Sequence, residues 1–340
     1  MTIRAFITGL SGLRISRNER SFLREARPWG LILFEHNISN PRQVAGLVNE
    51  FRDVLGFEAP VLIDQEGGRV QRLGPPHWRA YPSGADYGWL FDRDPALGLA
   101  AARLGGRLIA ADLALLGITV NCLPVADVPA PGADPVIGNR AYGDTADKVA
   151  QIADAITTGL AEGGVLPVLK HLPGHGRATC DSHFGLPVVA CARATLEATD
   201  FAAFRRLAHL PLGMTAHVVF TAIDPGVPTT LSPKVINEVI RGSIGFDGAL
   251  MSDDVSMGAL TGCIAERTRQ ALAAGCDLAL HCNGDLKEME EVASGACELS
   301  GVAARRAERA LAARRKADSV DIAEARITFS RMMGMTAAAG

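Results

Sequence analysis

No stretch of the 340 residues approaches 18 consecutive apolar side chains, the run that a membrane-spanning helix needs; no membrane partner is expected. The opening MTIRAFITGLSGLRISRNER holds one short apolar piece bracketed by Arg4 and Arg14, with no small-residue cleavage site behind it, so no secretory leader is expected. Neither sign of charge predominates: 34 Lys and Arg stand against 37 Asp and Glu, for a formal net charge of −3. A protein that binds nucleic acid by neutralising phosphates carries a basic excess, and that class of partner is not expected here. The seven cysteines are odd in number, scattered between Cys122 and Cys297, and form no Cys-x-x-Cys pair. That is the pattern of reduced thiols in a cytoplasm, not of a disulfide framework. Internal repeats and low-complexity linkers are absent as well. What remains is a chain of 48% hydrophobic and 21% charged residues, enough for a large core and incompatible with global disorder.

Short apolar runs alternate with longer helical patterns. The runs at 5–9, 30–34, 60–64, 119–128, 165–171, 212–218, 248–254 and 277–282 are brief, nearly continuously apolar, and end in polar, Gly or Pro residues, as buried parallel strands do. Between them, 42–55, 95–116, 145–162, 194–208, 233–241 and 263–274 repeat apolar residues at helical spacing, for example Val149, Ile152, Ala153, Ile156 and Leu160. Eight strands interleaved with helices predict an α/β fold of the (β/α)8 TIM-barrel type, with residues 1–335 as a single catalytic domain. An open doubly wound sheet is the alternative, but the glycine fingerprint GxGxxG after a first strand is missing. The segment 284–316 reads as charged helices packed outside the barrel, and residues 335–340 are expected to fray.

A barrel of this type places its chemistry at the C-terminal ends of strands. The polar residues there are Asp64 with Gln65 and Glu66, Asn121, Asp127, Lys170, His171, His217, Asp253 with Asp254, and His281. The densest segment, 169–187, carries Lys170, His171, His175, Asp181 and His183 among Pro173, Gly174 and Gly176, a composition suited to a mobile active-site loop. Asp181 and His183, two residues apart, can pair so that the carboxylate fixes the imidazole tautomer and raises its basicity. The bland alternative is a solvated, capped loop. A zinc site built from His171, His175, His183 and Asp181 is a further alternative, opposed by the neighbouring charge of Lys170 and by Pro173 and Gly174, which disfavour the helix that an H-x3-H ligand pair would use. In 248–260 an apolar strand delivers Asp253 to its end, and strict alternation turns Asp254 to the opposite face. In 61–73, Asp64 ends a strand and is followed by a Gly67-Gly68 turn, Arg69 and Arg72; in 137–143, Arg140 sits in a glycine-flanked loop. Carboxylates and guanidinium groups of this kind bind sugar hydroxyls or carboxylates, although each taken singly reads as a surface ion pair.

Together IDQEGGRVQRL, GNRAYG, KHLPGHG followed by DSH, and SDDVSM resemble family 3 glycoside hydrolases, in particular the compact bacterial β-N-acetylglucosaminidases of peptidoglycan recycling. The resemblance implies a (β/α)8 barrel without the second domain of larger relatives. It also implies a cytoplasmic, monomeric, retaining exo-glycosidase that removes terminal N-acetylglucosamine from N-acetylglucosaminyl-anhydromuramyl-peptides. On the matching positions, Asp253 is implied as nucleophile, His183 as general acid/base and Asp181 as its partner. Asp64, Arg72, Arg140, Lys170 and His171 are implied as contacts to the terminal sugar. His175 is assigned to loop architecture. An imidazole acid/base in place of a carboxylate does not repel an anionic acceptor, so a phosphorylase using the same residues is an alternative to the hydrolase. No organic cofactor and no metal are implied.

Overall fold

The computed structural model describes residues 2–335; residues 336–340, within the tail expected to fray, lie outside the described residues. Eight parallel strands close into a barrel: β1 (Arg4–Thr8), β2 (Pro28–Leu33), β3 (Val61–Ile63), β4 (Val120–Asn121), β5 (Leu166–Leu172), β6 (Leu212–Thr215), β7 (Ala249–Asp254) and β8 (Leu278–Leu280). Each pairs with its neighbours in sequence, and β8 returns to pair with β1. Every apolar run expected to be a strand supplies one. The run 119–128 is cut short at Asn121 because the chain turns there, with the Leu123 N–H donating to Asn121 O, and Pro124 has no N–H to give. Pairing resumes beyond it, where Val125 bridges Lys170.

The barrel wall separates two apolar cores. Ile7, Ile32, Leu62, Val120, Val168, Leu212, Met214, Met251 and Leu280 fill the interior. Phe6, Leu31, Leu33, Ile63, Leu169, Leu250 and Ala279, their neighbours along the strands, face the surrounding helices. This period-two split is what a strand buried on both faces requires. It also sets the site: two residues beyond the inward Leu62, Val168 and Met251 come Asp64, Lys170 and Asp253.

The helix Gly301–Ala312 departs from expectation. It does not lie outside the barrel; Ala307 and Ala310 join the interior cluster with Trp29. Arg306 anchors it to Asp247 and Asp277, residues that precede β7 and β8. Small residues on one face let this helix plug the N-terminal end of the barrel while its charged face stays wet. The segment 194–208 is two helices, Arg193–Ala198 and Asp200–Arg206, broken at Thr199. Residues Val235–Ser243 form a π-helix, a wider turn that 3.6-residue periodicity does not reveal. Helices at Arg17–Ala26, Gly84–Arg93 and Ile322–Met332 were not expected. The first carries a capping box in which Ser16 Oγ accepts from the Glu19 N–H and Glu19 accepts from the Ser16 N–H. Among the described residues no helix is long and apolar enough to cross a membrane.

Candidate active site

A cavity of about 300 Å³ opens at the C-terminal end of the barrel, bordered by Asp64, Glu66, Arg72, Arg140, Lys170, His171, His175, Asp181, His183, Asp253 and Asp254. All eight residues implied by the resemblance as catalytic or sugar-binding border it; Gln65, Asn121, Asp127, His217 and His281, also at strand ends, do not. A larger open groove of about 500 Å³ near Arg4, Ser21 and Glu290, by the N-terminal start of β1, gathers no comparable chemistry.

Two local irregularities explain why consecutive residues face one cavity. In β5 the register moves from Leu169 opposite Gly213 to Leu172 opposite Thr215, so three steps on β5 match two on β6. In β7, Met251 lies opposite Leu278 and Asp254 opposite Leu280, again one residue in excess. An extra residue breaks alternation and re-aims a side chain. Lys170 and His171 therefore both reach the cavity, and so do Asp253 and Asp254; the expectation that Asp254 turns away is corrected. The two aspartates are held differently. Asp254 accepts from the Ser256 N–H at 3.0 Å and from Ser256 Oγ at 2.7 Å, an engaged turn former. Asp253 accepts one backbone bond, from the Asp254 N–H at 2.8 Å, and among the described residues has no ion-pair partner. Burial pushes the Asp253 carboxyl up, but the fields of His217, His171 and Lys170 with that backbone N–H outweigh it and hold the group below the usual carboxylate range. A half-buried carboxylate that stays ionised with no cation paired to it among the described residues is available for chemistry.

Opposite lies a charged clamp. Lys170 Nζ is 2.8 Å from Asp64 Oδ1 and 2.7 Å from Glu66 Oε1. Arg72 Nη2 donates to Asp64 Oδ2 at 3.1 Å, and its guanidinium lies 4.9 Å from the centroid of the Phe34 ring. Arg140 donates through Nε and Nη2 to the two oxygens of Glu66, both at 2.9 Å. Burial pushes Asp64 and Glu66 up, yet the cations win and both carboxyls fall well below their ordinary values, Glu66 to about 2. Gln65 builds the turn behind them: its Oε1 accepts from the Arg72 and Leu73 N–H groups, and Asn121 pairs with its backbone. Glu66 is thus the anchor that makes Arg140 part of the site. Glu66→Gln leaves two buried cations short of a counter-charge, and removal of one member of such a network costs about 3–5 kcal/mol. The variant is expected to unfold at correspondingly lower urea concentration, measured against wild type at pH 7.

The histidines divide among separate partners. His171 Nδ1 is 2.7 Å from Asp127 Oδ2, and Asp127 Oδ1 accepts from the His175 N–H at 2.6 Å. His183 Nδ1 is 2.7 Å from Asp181 Oδ1, which also accepts the His183 N–H at 2.9 Å. A carboxylate on Nδ1 leaves Nε2 as the atom that can meet a ligand. Burial pushes the Asp181 carboxyl up, and the His183 contacts outweigh it and keep the group lowered. The His183 side chain is 62% exposed, so the dyad sits at the rim. Its loop is stitched to the segment after Asp253: the Gly258 N–H donates to His183 O and the Ala259 N–H to Ser182 O, at 3.3 and 3.1 Å. A Cβ on Gly258 would come within 2.8 Å of His183 O, so that close approach requires glycine. Among the described residues no three of His, Cys, Asp or Glu are grouped to hold a metal ion; the zinc cluster read from spacing is divided among Asp127, Ser182 and Asp181. His217 and His281 are also not cavity groups: His217 Nε2 donates to Asp254 O at 2.9 Å, and His281 pairs with Glu288.

His175 is buried, its Nε2 lies 3.4 Å from Ser182 Oγ, and its Nδ1 has no hydrogen-bond partner among the described residues. Burial first, then the field of His171, lowers its pKa to about 4. A lowered imidazole value means that the unfolded chain binds the extra proton between about pH 6.5 and 4, so stability from this group is complete above pH 6.5 and lost as pH falls toward 4. His175→Gln is expected to flatten the fall in unfolding free energy between pH 7 and 4.5, read from urea titrations; an unchanged slope contradicts this assignment.

Residues 2–312 match the Glycosyl hydrolase family 3 N terminal domain. The β-hexosaminidase of Alkalilimnicola ehrlichii is 39% identical over 287 residues, covering 83% of this chain and 82% of that protein. That of Methylococcus capsulatus is 39% identical over 278 residues, 81% of each. Native NagZ from Neisseria gonorrhoeae superposes with a TM-score of 0.85 at 30% identity, covering 98% of this chain and 97% of that one; the same protein has been solved with N-trifluoroacetyl-D-glucosamine and with a zinc ion.

Proposed function

The chain belongs to glycosyl hydrolase family 3, and from that premise we propose that it is a retaining exo-β-N-acetylglucosaminidase working through a covalent glycosyl-Asp253 intermediate. One observation carries this reading: Asp253 and the Asp181–His183 dyad border one cavity, with their loops hydrogen-bonded to each other. Retaining glycosidases ordinarily pair two carboxylates about 5–5.5 Å apart; here the second role falls to an imidazole.

In the first step Asp253 attacks the anomeric carbon, and the glycosidic bond breaks with its electron pair passing to the leaving oxygen. That oxygen takes the proton from His183 Nε2. In the second step neutral His183 takes a proton from water, the hydroxide adds to the anomeric carbon, and Asp253 leaves as carboxylate. Asp181, kept ionised, orients the ring and stabilises the imidazolium. Asp64, Arg72, Arg140, Lys170 and His171 hold the terminal sugar, with Asp64 accepting from hydroxyls and the cations and His171 donating. The β-hexosaminidase name of the relatives and the N-trifluoroacetyl-D-glucosamine bound by NagZ support an N-acylated glucosamine, which we take to be N-acetylglucosamine, as that sugar. We take the natural substrates to be N-acetylglucosaminyl-anhydromuramyl-peptides of cell-wall recycling in the cytoplasm.

Product analysis tests the reaction type. In phosphate buffer containing a chelator, a β-N-acetylglucosaminide is expected to yield free N-acetylglucosamine, first as the β-anomer. N-acetylglucosamine 1-phosphate would replace the hydrolase by a phosphorylase, an α-anomer formed first would overturn the covalent route, and activity abolished by chelation would restore the metal alternative.

A further inference from the structure

Phe184 follows the dyad histidine directly. It is 89% exposed, the highest value among the exposed large hydrophobic residues described, and its loop neighbour Val188 is exposed too. Leaving an aromatic ring in water forgoes the stabilisation that burial provides. The backbone that carries it is nevertheless held in place. The Phe184 and Gly185 N–H groups both donate to Asp181 O, at 3.1 and 3.2 Å, so the ring rides on the same turn that forms the dyad. The His183 and Phe184 ring centroids are 6.5 Å apart with planes inclined at 50°.

The chemistry defines what must lie there. His183 Nδ1 is taken by Asp181, so the proton leaves from Nε2 to an oxygen within about 2.6–3.2 Å. The group bonded to that oxygen lies beyond it, away from Asp253, on the side of the cavity mouth. Aromatic faces are electron-rich, and the C–H groups on one face of a pyranose carry complementary partial positive charge. We propose that Phe184 is the platform of the leaving-group subsite, stacking on the ring of the sugar that is released. This rests on the glycosidase reading and deepens it by naming a residue that selects a cyclic leaving group.

The experiment compares wild type, Phe184→Ala and Phe184→Trp on N,N′-diacetylchitobiose, with inhibition by free N-acetylglucosamine as the measure of the inner site. Phe184→Ala is expected to raise KM for the disaccharide about fivefold, the effect of one lost ring contact, with kcat falling less than twofold. Phe184→Trp is expected to restore KM, and the inhibition constant for N-acetylglucosamine to move less than twofold in both variants. An unchanged KM in an active Phe184→Ala enzyme overturns the platform. So does a loss confined to kcat, or one that affects the inhibition constant equally, because either would mark the ring as a support for His183. A wild-type enzyme that releases no N-acetylglucosamine from any β-linked substrate overturns the glycosidase reading, and the platform falls with it.

Discussion

Asp253→Ala is expected to lower kcat for a β-N-acetylglucosaminide by about 10⁴-fold or more, the scale seen when a covalent nucleophile is removed. Nothing nearby can replace it. Asp254, the adjacent carboxylate, is committed to Ser256 through both of its oxygens, and Asp64 and Glu66 are neutralised by Lys170, Arg72 and Arg140. The clamp does not depend on Asp253, so affinity for N-acetylglucosamine, measured by calorimetry, should stay within about threefold of wild type. Retention of activity within tenfold would show that another group attacks. A loss of binding as large as the loss of turnover would show that Asp253 serves the clamp and not the chemistry.

His183→Ala should separate substrates by their leaving groups. For a disaccharide, whose alkoxide is a poor leaving group, kcat/KM is expected to fall about 10³-fold, within the range for loss of a general acid. For a nitrophenyl glycoside the leaving phenolate needs no proton, and kcat/KM, which reports only steps through the first irreversible one, should fall less than about tenfold. Its kcat falls further, because hydrolysis of the intermediate still needs the base. Asp181→Asn keeps an oxygen near Nδ1 but removes the charge that stabilises the imidazolium, so the same ranking with smaller losses is expected. Equal loss on both substrates would contradict the acid role.

How much of this was readable from residues alone depends on whether the cause was local. Buried parallel strands announce themselves as apolar runs, so all eight were found, and Asp64, Lys170 and Asp253 follow from alternation along them. The Asp181–His183 pair was also visible because its partners are two residues apart. Arg140 and Glu66 are 74 positions apart, and His171 and Asp127 are 44 apart; spacing carries no trace of such pairings, which left Arg140 looking like a surface residue. The position of Asp254 was misread because alternation assumes a regular register, and the extra residue in β7 exists only in relation to β8. The helix at Arg17–Ala26 was within reach, since Ser16 and Glu19 have capping-box spacing. The plugging role of Gly301–Ala312 was not, because a charged face suggests solvent whatever the other face covers.

In the proposed mechanism Asp253 forms the bond to the sugar while His183 serves the other side of the same ring. A fluorinated N-acetylglucosaminyl donor that reacts in the first step and stalls in the second tests it directly, through peptide mass spectrometry of the labelled protein. One sugar per chain, attached to Asp253, is expected to accumulate with wild type and far more slowly with His183→Ala unless the donor carries an activated leaving group. A label on Asp254, or rapid turnover of the same donor with no label on any carboxylate, would contradict it.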